Sequence, residues 1–296
     1  MTSPWIRAGA WLLAGAVAAA GCSQAGSSSG LNVLQEIRNF NRPLIESSPS
    51  QASTKFKKMQ KDLVSFNRGL NHLFYRYVQS VGLPERWMGP LSKSLTLHGD
   101  CHVENIGAYR AADGRVVVDL IDFDDSFRGP ALLDVYRAAS SLYLGVKTDP
   151  MREKLVKIFA RSYAKTMQQI ASGEISADMV LDKTSSLDLV QDLIKDASGF
   201  QHKGFLQDFA FCREENGRMV FSRSYSGYEN APPGTVQTLL ESYLSGFKGQ
   251  PVDPGFYEMQ DAVVERNSGV GSAGVYKVRI LVRGPSADPW DDIILE

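Results

Sequence analysis

Apolar residues recur at intervals of three and four between about Ser53 and Val81, which is the spacing of one face of an α-helix. Gly69 predicts a break into two helices, and Gly82-Leu83-Pro84 predicts where the second one ends. Residues 31–49, before this segment, are expected to form an irregular lead-in. The periodic positions are Phe56, Met59, Leu63, Phe66, Leu70, Leu73, Phe74, Tyr77 and Val78.

Further along, short apolar runs bounded by turn residues alternate with longer helical patterns. Strands are predicted at 94–97, 106–109, 116–121, 205–212, 219–222, 261–266, 275–283 and 293–295. Helices are predicted at 130–144, 149–171, 185–195 and 235–247. This order predicts an α+β protein, with a helical lobe and a small antiparallel sheet near the C-terminal end.

Composition narrows the class of protein. The 296 residues are 43% hydrophobic and 22% charged, as in an ordinary globular protein with one large domain or two modest ones. A formal net charge of -1 argues against nucleic acid as the main partner.

The first 21 residues have the pattern of a signal peptide: Arg7, an apolar run from Ala8 to Ala20, and then Ala-Gly before Cys22. A Cys at this point resembles a bacterial lipoprotein processing site, so we expect an exported envelope protein held on the periplasmic face through lipidated Cys22. The alternative is a plain signal peptide with an incidental cysteine. Residues 22–50 would then be a polar tether and the lead-in. Cys101 and Cys212 remain, either paired or as separate buried thiols.

The segment 97–134, LHGDCHVENIGAYRAADGRVVVDLIDFDDSFRGPALLD, carries the chemistry. Asp100 precedes Asn105 by five positions and is the candidate general base. Asn105 and Asp122 offer hard oxygen ligands suited to Mg²⁺. Asp124 is a second carboxylate, on the same face as Asp122 if the strand continues. Asp134 is expected to brace the loop by accepting hydrogen bonds from backbone N–H groups.

His98 and His102 form an HxxxH pair, a spacing that binds zinc when both residues lie on a helix. Gly99 and the preceding strand favour a loop instead, so both histidines are interpreted as structural supports of the turn. The zinc alternative stays open at this point.

Several of these segments resemble a known family. LHGDCHVENIG, IDFDDSFRGPALLDVYRAASS, FNRGLNHLFY and ERNSGVGSAGVYKVRILVRG resemble the bacterial family called domain of unknown function 2252. The HGDxHxxN and IDFD elements also resemble aminoglycoside phosphotransferases of the protein-kinase-like superfamily. The resemblance implies a kinase-like phosphotransferase fold that uses ATP and Mg²⁺, with a nucleotide and an unknown small-molecule acceptor as partners.

The loop SGVGSAG lies between two apolar strands near the C-terminus, and its glycines would let backbone N–H groups approach phosphates closely. Taken alone, such a loop is more typical of a simple turn. The resemblance implies that Gly269, Gly271, Ser272 and Gly274 cover the nucleotide, in an order permuted relative to protein kinases. It also matches Arg68 to a family arginine that could reach a phosphate; a surface salt bridge is the alternative.

Residues 291–296 match a strand of the family. In the family this strand is followed by a lysine, which looks like the lysine that pairs with the nucleotide phosphates in kinases. The chain stops where that lysine would appear, and Lys277 is an imperfect substitute, so the resemblance implies a C-terminally truncated member with an incomplete sheet. The predicted organisation is 1–21 signal peptide, 22–50 tether and lead-in, 51–250 helical lobe with catalytic loop, and 251–296 glycine-rich loop and incomplete nucleotide-binding sheet.

Three functions follow from these patterns. The first is an ATP- and Mg²⁺-dependent phosphotransferase of unknown acceptor, which is either active or inactivated by the missing lysine. The second is a non-catalytic envelope binding module that keeps a kinase-like shell. The third is a metal-dependent hydrolase, with its ion held by His98, Asp100, His102, Asp122 and Asp124.

Overall fold

A computed structural model describes residues 30–83, 94–111, 115–199, 201–246, 255–265 and 276–296. The predicted signal peptide, Cys22 and the glycine-rich loop with Gly269, Gly271, Ser272 and Gly274 lie outside these ranges. The chain divides into two compact units, Met1–Ala197 and Ser198–Glu296. Within the described ranges, no helix combines the length and the apolar character that crossing a membrane requires.

The first unit begins with a series of short helices. These are α1 (Val33–Phe40), α2 (Arg42–Ser47), α3 (Pro49–Met59), α4 (Leu63–Gly69) and α5 (Asn71–Val81). The expectation of an irregular lead-in was therefore wrong for residues 33–47. Local capping explains the difference, because the Asn32 side chain accepts a hydrogen bond from Gln35 N and a proline opens each of the next two helices.

Two small antiparallel sheets follow. Strand β1 (Leu95–Leu97) pairs with β4 (Phe127–Gly129), and β2 (Ile106–Arg110) pairs with β3 (Val116–Leu120). A single 3₁₀ turn, Val103–Asn105, leads into β2. The pairing of β1 with β4 closes the polypeptide between them into a loop, so the two ends of the chemistry-bearing segment lie side by side.

Three longer helices complete the first unit: α6 (Leu132–Gly145), α7 (Asp149–Ala171) and α8 (Asp188–Ser198). The predicted bounds of α7 are confirmed, with Pro150 in its first turn. Helix α6 is the most deeply buried of the three and lies against α4 and α7. Its buried face carries charged and polar side chains as well as apolar ones, and these residues form the candidate site.

The second unit begins with a hairpin of β5 (Cys212–Glu215) and β6 (Arg218–Phe221). A separate four-stranded antiparallel sheet contains β7 (Tyr228–Asn230), β8 (Met259–Glu265), β9 (Lys277–Val282) and β10 (Ile293–Leu295), in the order β10-β9-β8-β7. Side chains alternate across the sheet. Leu281 packs with Leu206, Met219 and Phe221 on one face. Ile280 and Val282 pack on the other face with helix α10 (Pro233–Ser245). The unit also contains the short helix α9 (His202–Gly204) and a π-helical turn (Phe205–Phe209).

The strand predicted over 205–212 was wrong over most of its length, because residues 205–209 form helical turns. Leu206 and Ala210 are fully buried four residues apart, which is helical spacing, while Phe205 and Phe209 are exposed. Packing of this one face decided the structure of the segment. The α+β class with small antiparallel sheets is confirmed.

Candidate functional site

The turn His98-Gly99-Asp100, hereafter the HGD turn, connects β1 to the 3₁₀ turn before β2. Gly99 has a φ of +85°, and a Cβ on it would lie 1.9 Å from the carbonyl oxygen of Asp125. Only glycine fits a backbone approach this close in this conformation. The Gly99 carbonyl oxygen accepts hydrogen bonds from Asn71 Nδ2, at 3.1 Å, and from the Tyr75 hydroxyl. Helix α5 therefore holds the turn from one side.

Helix α6 holds the turn from the other side through Asp134. Its carboxylate accepts a hydrogen bond from His98 N at 2.7 Å and another from Gly99 N at 3.2 Å. Hydrogen bonds to a carboxylate are about twice as strong as those between neutral groups. Two consecutive backbone N–H groups are thus fixed, and with them the direction of the Asp100 side chain.

Arg137, one helical turn after Asp134, holds the Asp100 carboxylate itself. Its Nε and Nη2 atoms lie 2.9 Å and 2.7 Å from Asp100 Oδ1. The Arg137 side chain is completely buried, and a buried cation requires a partner of opposite charge. Its Nη2 also donates to the carbonyl oxygen of Asn67 at 3.2 Å, and its Nη1 donates to Asn67 Oδ1.

Arg137 and Asn67 were not predicted from the sequence. The available signal was the spacing Asp134-x-x-Arg137, which places both charged side chains on one face of a helix. An arginine in a helix is usually solvated, so the sequence alone favoured an ordinary surface residue.

His98 uses both of its ring nitrogens within the protein. Its Nε2 donates to the carbonyl oxygen of Ile121 at 2.7 Å, and its Nδ1 accepts from Asp100 N at 3.2 Å. In this arrangement Nε2 is the donor and Nδ1 is the acceptor. The imidazole joins the HGD turn to the end of the hairpin and has no nitrogen left for a metal ion.

His102 is almost completely buried, and its Nε2 lies 3.5 Å from Asp100 Oδ2. Burial lowers the pKa of His102, so the ring next to Asp100 is neutral at neutral pH. Its Nδ1 is buried without a hydrogen-bond partner among the described residues.

Asn105 is 4% exposed and donates from Nδ2 to the backbone carbonyl of Asp100 at 3.0 Å. This bond engages the amino group of the amide and leaves its oxygen, Oδ1, for another ligand. The Asn105 carbonyl accepts from Ile121 N at 2.9 Å, so Asn105 lies beside the residue that precedes Asp122.

Asp122 and Asp124 are exposed, and neither carboxylate forms a hydrogen bond or ion pair within the part of the chain that the structure describes. Strand β3 ends at Leu120 and Asp122 has a φ of +68°, so the strand alternation considered for these two residues does not apply. Within the same ranges, no group of three or more His, Cys, Asp or Glu side chains is arranged to hold a metal ion.

The structure thus brings together Asp100, Asn105, His98, His102 and Asp134, and leaves Asp122 and Asp124 on the adjoining segment. Arg68 forms an ion pair with Glu104 across 2.8 Å, next to the 3₁₀ turn, which is the salt-bridge alternative that the sequence left open. In the second unit, Lys277 pairs with Glu296.

The two described cysteines, Cys101 and Cys212, are free thiols. Burial raises the pKa of Cys101 to about 11 and that of Cys212 to about 12. Since the thiolate is the nucleophilic form, neither residue is activated for covalent chemistry at neutral pH.

Fold and site together define an α+β protein in which an Asp-bearing turn is held between two helices. The family model described as "Uncharacterized protein conserved in bacteria (DUF2252)" matches residues 47–296, and the chain belongs to this family. The resemblance of the motifs to domain of unknown function 2252 is thereby confirmed. No curated protein and no solved structure matches the chain.

Proposed function

We propose that the protein is a kinase-like phosphotransferase that uses ATP and Mg²⁺ to phosphorylate a small-molecule acceptor. The observation that carries the proposal is the fixed Asp100 carboxylate, with one oxygen bound to buried Arg137 and Asn105 tied to the same turn. Phosphoryl transfer depends mainly on positioning and electrostatics, so a rigid base beside a ligand for Mg²⁺ is the arrangement it needs.

The donor set fits Mg²⁺. Asn105 has an amide oxygen left after its internal hydrogen bond, and Asp122 has a carboxylate without a protein partner among the described residues. Mg²⁺ keeps several waters and is commonly bound by one or two carboxylates together with substrate phosphates, so a cage of three acidic side chains is not required. When bound, the ion would neutralise the charge that develops on the phosphates. Asn105 and Asp122 would hold it, with Asp124 as a further carboxylate.

Asp100 would act as the general base, taking the proton of the acceptor hydroxyl. His102, neutral beside Asp100 Oδ2, adds no positive charge that would compete for the carboxylate. The ATP site formed by the glycine-rich loop, the permuted kinase-like fold and the lipid anchor at Cys22 belong to the same proposal and are supported by the sequence motifs.

The hydrolase alternative is disfavoured by His98, because both of its ring nitrogens are already engaged. A non-catalytic binding module would have the same contacts around Asp100 as an enzyme. Measurements of ATP binding and of phosphoryl transfer distinguish the two.

Thermal unfolding with ATP, Mg²⁺ and both together tests the proposal. At one hundred times the Kd, Mg²⁺ with ATP should add about 2.7 kcal/mol to the free energy of unfolding, and ATP without Mg²⁺ should add much less. Asp122→Asn should abolish the Mg²⁺-dependent part without altering the unliganded protein, since Asp122 is exposed and unpaired in the described structure.

Asp192→Asn, on an exposed face of α8, is the matched control and should behave as wild type. Equal stabilisation by ATP with and without Mg²⁺, or a full response in Asp122→Asn, would remove the proposed metal site. Stabilisation without phosphoryl transfer to any acceptor, including water, would favour the binding module.

A further inference from the structure

One face of helix α6 binds the HGD turn through two residues. Asp134 binds the backbone N–H groups of His98 and Gly99, and Arg137 binds the side chain of Asp100. A helix is a rigid element, so the two contacts fix the carboxylate both in position and in rotation.

The Arg137 side chain is itself held in place by further contacts of its guanidinium group. Nη1 and Nη2 donate to the side chain and backbone of Asn67 in α4, and the guanidinium carbon lies 5.8 Å from the centre of the Phe74 ring. The side chain is completely buried, so it cannot touch a nucleotide or an acceptor. Any influence of Arg137 on the chemistry must therefore pass through Asp100.

Both contacts from Arg137 converge on the same oxygen of Asp100. Oδ1 receives Nε and Nη2, whereas Oδ2 faces His102 Nε2 at 3.5 Å, beyond ordinary hydrogen-bond length. The Asp100 side chain is 16% exposed, so it is not sealed off from solvent. The two oxygens are consequently unequal.

We infer that Arg137 is a positioning residue that occupies Asp100 Oδ1 and makes Oδ2 the oxygen that receives the acceptor's proton. This inference rests on the proposed function. In that reaction the acceptor oxygen bonds to the terminal phosphorus of ATP, and its O–H proton passes to Oδ2. The bond between that phosphorus and the bridging oxygen breaks, and ADP leaves with the electron pair.

The test is the steady-state hydrolysis of Mg²⁺-ATP, with water as acceptor, by the full chain carrying Arg137→Lys. Lysine keeps the charge but cannot supply two parallel N–H donors to one oxygen. We expect kcat to fall about 100-fold, as for a misplaced catalytic group, while the KM for Mg²⁺-ATP changes by less than about threefold.

The decisive readout is the same substitution in an Asp100→Asn background. Residues that act as a unit are strongly non-additive, so Arg137→Lys should then change kcat by less than about threefold. Arg152→Lys is the matched control: Arg152 is 11% exposed, donates to the carbonyl of Val146 and pairs with Asp149, but contacts no residue of the HGD turn. It should alter stability without altering kcat.

If Arg137→Lys does not fold, Asn67→Ala decides the question, because it loosens Arg137 without touching Asp100. It should lower kcat in the wild-type background and leave it unchanged in Asp100→Asn. Equal losses of kcat in both backgrounds would overturn the inference and leave the proposed function standing. Binding of Mg²⁺-ATP without hydrolysis would remove Asp100 as a base and overturn the inference, and absence of Mg²⁺-ATP binding would overturn both proposals.

Discussion

Replacing Gly99 by alanine should be among the most damaging small changes in the first unit. A Cβ at this position would lie 1.9 Å from the Asp125 carbonyl oxygen and 2.6 Å from the carbonyl carbon. Both atoms belong to the backbone, so no side-chain rotation relieves the overlap. The φ of +85° is also unfavourable for any residue with a Cβ.

The expected loss of stability has two parts. A left-handed conformation costs an alanine about 1–2 kcal/mol. The backbone at Asp125 must also retreat by roughly 1.5 Å to reach ordinary contact distance, which disturbs the hydrogen bonds that Asn71 makes to Asp125 Oδ2 and to Gly99 O. Each such bond contributes about 1 kcal/mol. The total is about 3–4 kcal/mol in the free energy of unfolding.

Urea unfolding followed by circular dichroism measures this loss. Gly145→Ala is the matched control, because Gly145 lies at the end of α6 with a negative φ, and a Cβ added there would have no atom within 4 Å. It should leave stability unchanged or raise it by up to about 1 kcal/mol. A Gly99→Ala protein within about 1 kcal/mol of wild type would show that the close approach to Asp125 does not exist in solution.

Three further outcomes are expected, each measured by denaturant unfolding. Arg137→Met and Asp100→Ala should each lower the free energy of unfolding by about 3–5 kcal/mol, because each breaks a buried ion pair. The double variant should lose at least about 1 kcal/mol less than the sum of the two single losses, and strict additivity would contradict the pairing. Burial lowers the pKa of His72 to about 4, whereas the unfolded imidazole titrates near 6.5, so the unfolded state alone takes up a proton between these values. Stability should therefore fall as pH decreases from about 6.5 towards 4, and His72→Phe should flatten that slope; an unchanged slope would refute the assignment. Asp134→Asn should lower the free energy of unfolding by about 1–3 kcal/mol, because an amide has one acceptor oxygen for the two backbone N–H groups that the carboxylate binds. A smaller loss than in an exposed control such as Asp192→Asn would contradict the bracing role.

The sequence predicted elements well where length and local signals agreed. Helix α7 has 23 residues and a proline in its first turn, and its bounds were predicted correctly. Strand β4 was missed, because its sequence Phe127-Arg128-Gly129 contains one apolar residue, one charged residue and a glycine, and so is not an apolar run. Its strand conformation depends on the partner β1, which lies about thirty residues earlier in the chain.

For the candidate site, spacing along the chain was sufficient to select Asp100, Asn105 and Asp134, which the fold gathers around one turn. It was not sufficient for Arg137, because a charged residue in a helix has the same sequence signature whether it is solvated or buried in an ion pair. The relation of Asp122 to Asp124 could not be predicted either. It depended on where β3 ends, and the positive φ of Asp122 is a property of the turn rather than of the strand.

Asp134 and Arg137 lie on the same turn of α6, so the angle between their side chains around the helix axis is fixed. Asp134 binds the backbone of the HGD turn, and Arg137 binds the Asp100 carboxylate. Adding or deleting one residue between them would swing Arg137 by about 100° around the helix axis, away from Asp100. Substitutions can weaken either contact by degrees, but a one-residue insertion at this point would leave at most one of the two contacts in place. Natural length variation is therefore better tolerated in the loops than within this turn.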